Sequence, residues 1–272
     1  MHATPAPKTM KLFWELTKRS FKRQLTYRAA TLAGLLTNFF FGIIRAGILI
    51  ALYGTRQDVA GLSLPDAITY AALTQAVIAY LSFFNWTLIM DTIYTGDISS
   101  DLLKPMNYFR FWLSQDLGRA IVNLFLRGVI VMVGYAFIFD LTFPNSGWQW
   151  LALGISVILS WVLNFSWRFL INLSAFWTPN AQGITRFFFI GMWFFSGFLT
   201  PLRYFPNWVV RVSNLTPFPS MINTVAEIYL NVLQGPELVQ AVLVQLGWAI
   251  AIILAGQLVL RAGVRRLVIL GG

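Results

Sequence analysis

The chain has 272 residues, of which 57% are hydrophobic and only 11% charged, with 20 Lys and Arg against 10 Asp and Glu. Soluble domains carry roughly 25% charged residues, so a water-soluble fold that hides this much apolar side chain is excluded, whereas lipid tails solvate it readily. No Cys and a single His, His2, also exclude disulfides, thiolate metal sites and mechanisms that need a positioned imidazole. The +10 balance is spread between apolar runs. That pattern marks membrane topology and contact with anionic lipid, and it argues against a nucleic-acid surface.

In chain order, residues 1–8 contain Pro5 and Pro7 and are expected to be disordered. From Thr9 to about Leu25 an amphipathic helix is predicted. Met10, Phe13, Trp14, Thr17, Phe21 and Leu25 share one side, with Lys11, Glu15, Lys18 and Lys22 on the other, as in a helix lying in the membrane interface. This basic start is too long, and the apolar run after it too extended, for a cleaved signal peptide, so it is expected to be retained. Six runs approach the roughly 20 apolar residues that a spanning helix needs. They are 29–53, 66–89, 111–139, 148–176, 184–202 and 238–260. The expected fold is therefore all-α and polytopic, one transmembrane domain over 1–272.

Counting Lys and Arg near the span ends gives fourteen on one side, including Arg110 and Arg119 of the second connection. Three lie on the other side: Arg56, Arg203 and Arg211. The excess puts both termini in the cytoplasm, which an even number of spans also requires. In the first span the small-residue pairs Ala30/Gly34 and Gly42/Ala46 permit close helix approach.

Two connections exceed what a simple turn requires. In the cytoplasmic 91–110, Gly96 breaks the chain. Asp97 or Ser99 then caps a short helix bearing Ile98, Leu102 and Leu103, which Pro105 ends. Such a stripe is either tucked against its own bundle or offered to a partner. The extracytoplasmic 196–235 holds Pro201, Pro206, Pro217 and Pro219 among Phe198, Tyr204, Phe205, Trp208 and Phe218. Its prolines forbid one continuous helix, yet it is too apolar for a solvated loop. Short re-entrant helices packed on the bundle reconcile the two, because irregular backbone at membrane depth must be buried in protein or line a cavity.

The basic leading helix, six spans, the series Ile93–Gly96–Ile98–Leu102–Leu103–Lys104–Pro105, the series Ser196-Gly197…Pro201-Leu202…Phe205-Pro206 and the ending Arg265-Arg266…Gly271-Gly272 together resemble the membrane subunits of ABC-2-type ABC transporters, in the broad class of ABCG-like exporters. The resemblance covers nearly the whole chain. Position 104 is Lys where Arg is more usual, a change that matters only at a bidentate contact. The resemblance implies that 91–105 is a coupling segment (Ile93, Gly96, Asp97, Ile98, Leu102, Leu103, Lys104, Pro105) docking on a separate ATPase subunit. It also implies that 9–25 is a connecting helix beside it. Residues 197–232, with Gly197, Pro201, Phe205, Pro206 and Trp208, would seal the outer end of the path. Two permease chains, identical or related, would pair in a bacterial plasma membrane. ATP and Mg would sit on the partner, leaving no cofactor or metal here. Independently of the resemblance, no Gly opens a P-loop pattern, so ATP chemistry belongs to another chain or is absent.

Arg45, Arg127 and Arg168 fall inside spans. Charges there face the bundle interior or a wet cavity, so Arg45 and Arg127 are candidates for a path that favours an anionic or polar substrate. The alternative is snorkelling or structural pairing with Asn or carbonyls. Trp161, Trp167, Trp177, Phe187, Phe188, Phe189, Trp193, Phe194 and Phe195 form an aromatic wall that suits a hydrophobic substrate or lipid-facing surface; Phe194 and Phe198 join the candidate path. A channel or secondary transporter is the alternative function, although coupled carriers place carboxylates at mid-membrane and none lies centrally here. An intramembrane enzyme fits less well, since Asp91, Asp97 and Asp101 are ordinary loop charges. The substrate, the direction of transport and self-pairing stay open at this level.

Overall fold

A computed structural model describes residues 6–81 and 87–266. The chain is mostly helical. An amphipathic helix α1 (Ala6–Thr26) is followed after Tyr27 by α2 (Arg28–Tyr53). Helix α1 takes in Ala6, Pro7 and Lys8, which were expected to be disordered; proline is tolerated in a first helical turn. A two-residue antiparallel hairpin, β1 (Asp58–Val59) and β2 (Leu62–Ser63), leads into α3 (Leu64–Tyr80), then α4 (Leu88–Thr95) and α5 (Ile98–Leu102). A long helix follows: α6 (Tyr108–Asn123), a π-helical turn (Leu124–Val129) and α7 (Ile130–Ala136). Next come α8 (Gly147–Asn172) with a 3₁₀ turn to Phe176, α9 (Ala181–Phe195), α10 (Asn207–Asn214), α11 (Asn223–Tyr229) and α12 (Gly235–Val264).

Four helices among the described residues are long and apolar enough to cross a membrane: Arg28–Tyr53, Tyr108–Ala136, Gly147–Phe176 and Gly235–Val264. They correspond to the expected spans one, three, four and six. The second expected span, 66–89, is α3, whose described helix stops at Tyr80; residues 82–86 lie outside the described residues. The fifth, 184–202, ends sooner than expected. Helix α9 stops at Phe195 because Gly197 takes a left-handed turn (φ +82°) that only glycine adopts without penalty.

Helix α3 is the hub. Every residue from Ala67 to Tyr80 is buried, which explains why it is apolar all round rather than amphipathic. Its start is fixed by a capping box, Ser63 and Asp66 each bonding the other's backbone, the reciprocal satisfaction of two orphan amides. Helix α2 lies against it through small residues. Ala46 is fully buried, and a side chain at Gly42 would strike the Tyr135 ring. Most of α2 otherwise faces outward, as a lipid-exposed helix does.

Helix α1 packs against α6 by backbone approach. A side chain at Gly118 would meet the carbonyl of Thr17 and the amide of Phe21, and Ser20 Oγ donates to the Gln115 carbonyl at 2.6 Å. The packed stripe is thus Thr17 and Ser20 with Phe13 and Phe21 beside them. Met10, Trp14 and Leu25 stay exposed, free to meet lipid.

Candidate functional site

The loops gather at two ends. At one, α4 and α5 are tied to the turn between α8 and α9. Met90 N donates to Asn172 Oδ1 (3.0 Å). Tyr94 bridges the Thr178 carbonyl (3.0 Å) and the Ala181 amide (2.8 Å). Gly96 closes α4 in the left-handed conformation (φ +80°), and Asp97 occupies the N-cap position of α5 without a capping bond, accepting instead from Thr95 Oγ1. The expected apolar stripe divides. Ile98 is fully buried among Ile89, Tyr108, Phe109 and Phe169, and Leu102 and Ile93 pack at the edge of that cluster. Leu103, by contrast, is 86% exposed. Lys104 turns back, pairing with Asp101 at 2.5 Å and lying 3.7 Å from the Phe111 ring centroid. Gly96, Asp97, Lys104 and Pro105 are exposed. The short helix is pinned by one side and presents Leu103 from the other.

Just beyond this end is a charge cluster that sequence reading did not assemble. Asp116 is 1% exposed and accepts from Arg119 (2.6 Å), Arg168 (2.9 Å) and Trp161 Nε1 (2.9 Å). Arg168 also donates to Asn164 Oδ1 at 3.0 Å. Arg119 was counted among loop charges. It lies inside α6, which begins at Tyr108, and its removal from the count leaves the sign of the charge asymmetry unchanged. Arg168 therefore pairs structurally. No local pattern announces a pair 52 residues apart.

At the opposite end, the segment between α9 and α12 is folded into the bundle. Met221, Ile222 and Val225 belong to the main core. Its irregular carbonyls are met by side chains of the long helices. Ser160 donates to Met221 O (2.8 Å), Gln245 to Ser220 O (2.8 Å), and Gln149 to Ile228 O (2.6 Å) and Leu233 O (2.9 Å). Ser160 stands fourteen residues past the Ser146 cap of α8, about 21 Å along the axis. The segment thus reaches far down the bundle, and its backbone is satisfied there, as burial demands.

Tyr70 of α3 anchors the start of the segment. Its hydroxyl lies 2.7 Å from Gly197 O and 2.9 Å from Asn223 Oδ1, and Asn223 Oδ1 also accepts from Leu202 N. Tyr204 meets Tyr53, which donates to Leu62 O. Arg203 reaches Glu227 (3.4 Å) and the Ala60 carbonyl (3.1 Å). Burial pushes the Glu227 carboxyl up from its usual range, and Arg203 draws it partly back. Pro201 is buried and Phe205 partly so, its ring meeting Phe194 edge-on with centroids 5.2 Å apart, whereas Pro206 and Trp208 are exposed.

Beneath the 197–201 turn is a cavity of about 410 Å³ lined by Arg45, Leu52, Tyr70, Thr74, Phe198 and Leu199, among others. Arg45 donates to Thr74 Oγ1 (3.0 Å) and lies 4.4 Å from the Phe198 ring centroid. The structure brings Arg45 and Phe198 together. It does not bring Arg127 to them. Arg127 sits on the π-helical turn against Gly34, with a long 3.5 Å bond to Asn38 Oδ1. The aromatic wall divides too: Trp161 is buried, while Phe187 and Trp177 face outward. A second, mostly apolar groove of about 450 Å³ lies between α3, α6–α7, α8 and α11.

Long apolar helices, a backbone-satisfied segment deep in the bundle and a tethered short helix at the other end define a multi-pass membrane protein with a built interior. Residues 39–271 match the family model described as ABC-2 family transporter protein. The chain belongs to that family and is a membrane permease component of an ABC transporter, not itself catalytic. No curated protein matches it. The match begins within α2, so α1 precedes it.

Proposed function

We propose that this chain is the membrane subunit of an ATP-driven exporter. It crosses the bacterial plasma membrane six times with both termini in the cytoplasm. It pairs with a second permease chain, and a separate subunit that binds ATP and Mg drives it. The observation that carries this reading is the tethered segment 91–105 in a member of the ABC-2 family: one face locked to the bundle through Ile98, the other offering Leu103. A lever must be rigid toward what it moves and exposed toward what moves it. Coupling would then pass from Leu103 through Ile98 and Met90 to the inner end of α8, with α1 as the connecting helix.

Spans two and five are assigned to α3 and α9. Helix α9 has 15 residues, about 22 Å, less than the roughly 30 Å hydrocarbon core. The partly buried 197–232 segment would complete that leaflet as a re-entrant plug, with Gly197, Pro201, Phe205 and Pro206 sealing the path and Trp208 at the outer interface. The side-chain partners of its carbonyls support this depth. Asp116 gives no support to ion-coupled transport, because two guanidinium groups and an indole already occupy it.

The chain has no cysteine, so a single Cys at Leu103 is a clean crosslinking site. In native membranes Leu103→Cys is expected to capture a P-loop ATPase, and Leu199→Cys at the other end to capture none. If neither captures one, or both do equally, the coupling assignment is wrong.

A further inference from the structure

The cavity under the 197–201 turn has a chemistry that narrows the substrate class. Its floor is one guanidinium. Arg45 has no carboxylate within 4 Å among the described residues, and its hydrogen bond there is to the neutral Thr74 hydroxyl. Its remaining nitrogens are not sealed in protein, and the residue lines the cavity. The other intramembrane arginines differ. Arg168 and Arg119 share Asp116, and Arg127 is packed against Gly34 and Asn38. Arg45 stands eight residues below Tyr53, about 12 Å down α2 from its outer end. A cation at such depth, held by a hydroxyl and a ring face, keeps its net charge and lacks a counterion.

Above the guanidinium the walls turn apolar. Ile48, Leu49 and Leu52 rise along α2 and face Leu199 across the cavity. Ile48 and Leu199 are about half exposed and Leu52 about two-thirds, so the cavity opens sideways between α2 and the turn. Its volume falls in the range of pockets that hold drug-sized ligands. One charged point below and a greasy, laterally open chamber above match a molecule with the same two parts.

We propose that this cavity binds an amphipathic organic anion, its carboxylate, sulfonate or phosphate on Arg45 and Thr74 and its apolar body along Ile48, Leu49 and Leu52. The assignment deepens the permease reading and rests on it only for the word substrate; the binding site stands on the geometry alone. A neutral hydrophobe leaves the guanidinium unneutralised, and an amphipathic cation is repelled by it.

The test uses the full chain in zwitterionic nanodiscs, without nucleotide, and two matched probes: dansyl-undecanoate and the corresponding dansyl-undecylamine. Binding is read by energy transfer from tryptophan. The anion is expected to bind and the amine to bind far more weakly. Arg45→Gln is expected to weaken the anion roughly tenfold, the scale of one charge-assisted hydrogen bond, and Arg45→Lys to restore part of it. Should Arg45→Gln fail to fold, Leu52→Trp keeps the charge, fills the chamber and is expected to exclude the probe. Arg56→Gln, on the exposed outer loop, controls for general surface charge. A diazirine analogue of the anion is expected to label within 48–52 or 199–201. In discs with anionic phospholipid, loss of probe binding assigns the anion to a lipid headgroup and retained binding to a free amphiphile; either supports an anion site. Equal binding of the two probes, or an Arg45→Gln protein that binds the anion as well as the parent, overturns the proposal. Neither result touches ATPase pairing, and an absent ATPase would leave a bound anion in place.

Discussion

Replacing Asp116 with Asn keeps its shape and removes its charge, which strands two guanidinium groups in the bundle. The carboxylate is 1% exposed and the Arg168 side chain 5%, so solvent screening gives little relief. Three donors converge on it, at 2.6, 2.9 and 2.9 Å. Taking charges out of water and bringing them together nearly cancel in an intact buried pair, but removing one partner leaves the desolvation uncompensated and costs about 3–5 kcal/mol. At roughly 2–4 °C per kcal/mol for a chain of this order of size, Asp116→Asn should lower the melting temperature by something like 6–20 °C. Intrinsic tryptophan fluorescence of the protein in nanodiscs reads this directly. Arg168→Gln should cost less, because Arg119 and Trp161 still meet the Asp116 carboxylate. The double variant Asp116→Asn with Arg168→Gln should lose clearly less than the two single losses combined, because both single changes break the same Asp116–Arg168 pair. Strict additivity would show that the two residues act independently and would refute the assignment of this cluster as an ionic tie between α6 and α8.

Other changes follow from the same contacts. Ile98→Asp should unfold or strongly destabilise the chain, because it places a carboxylate in a dry cluster. Leu103→Asp should leave the stability within about 0.5 kcal/mol of the parent while abolishing ATPase capture in a pull-down. A stable Ile98→Asp protein would contradict the buried anchor. Gly118→Leu should push α1 off α6 at a cost of about 1–3 kcal/mol, seen as faster proteolysis within 9–26. Tyr70→Phe removes the hydroxyl that holds Gly197 and Asn223, and about 1–3 kcal/mol is at stake. In a Leu202→Cys background it should speed thiol labelling of that otherwise buried position, and an unchanged rate would sink the anchor role.

Much of this protein is written locally in its sequence. The apolar runs that became α2, α6–α7, α8 and α12 were legible because a helix rises 1.5 Å per residue and lipid rewards unbroken hydropathy, both properties of a short window. The Gly96 and Pro105 boundaries of the inner turn were legible for the same reason. The asymmetry of Lys and Arg between the span ends was countable without reference to packing. The family, too, was readable from the order of the motifs.

Tertiary structure decided the rest, because the physics there joins residues far apart in the chain. Only the fold shows that Ile98 is anchor and Leu103 is the exposed neighbour, since a short apolar stripe has the same pattern whichever side is buried. Only the fold brings Asp116 to Arg168, Tyr70 to Gly197 and Ser160 to Met221. Hydrogen bonds and ion pairs act over about 3 Å, and the contacts that set these distances come from different helices. Arg45 and Arg127 look alike in sequence, each one cation in an apolar run. Their surroundings distinguish them: Arg127 is packed against a neighbouring helix, and Arg45 opens into a chamber.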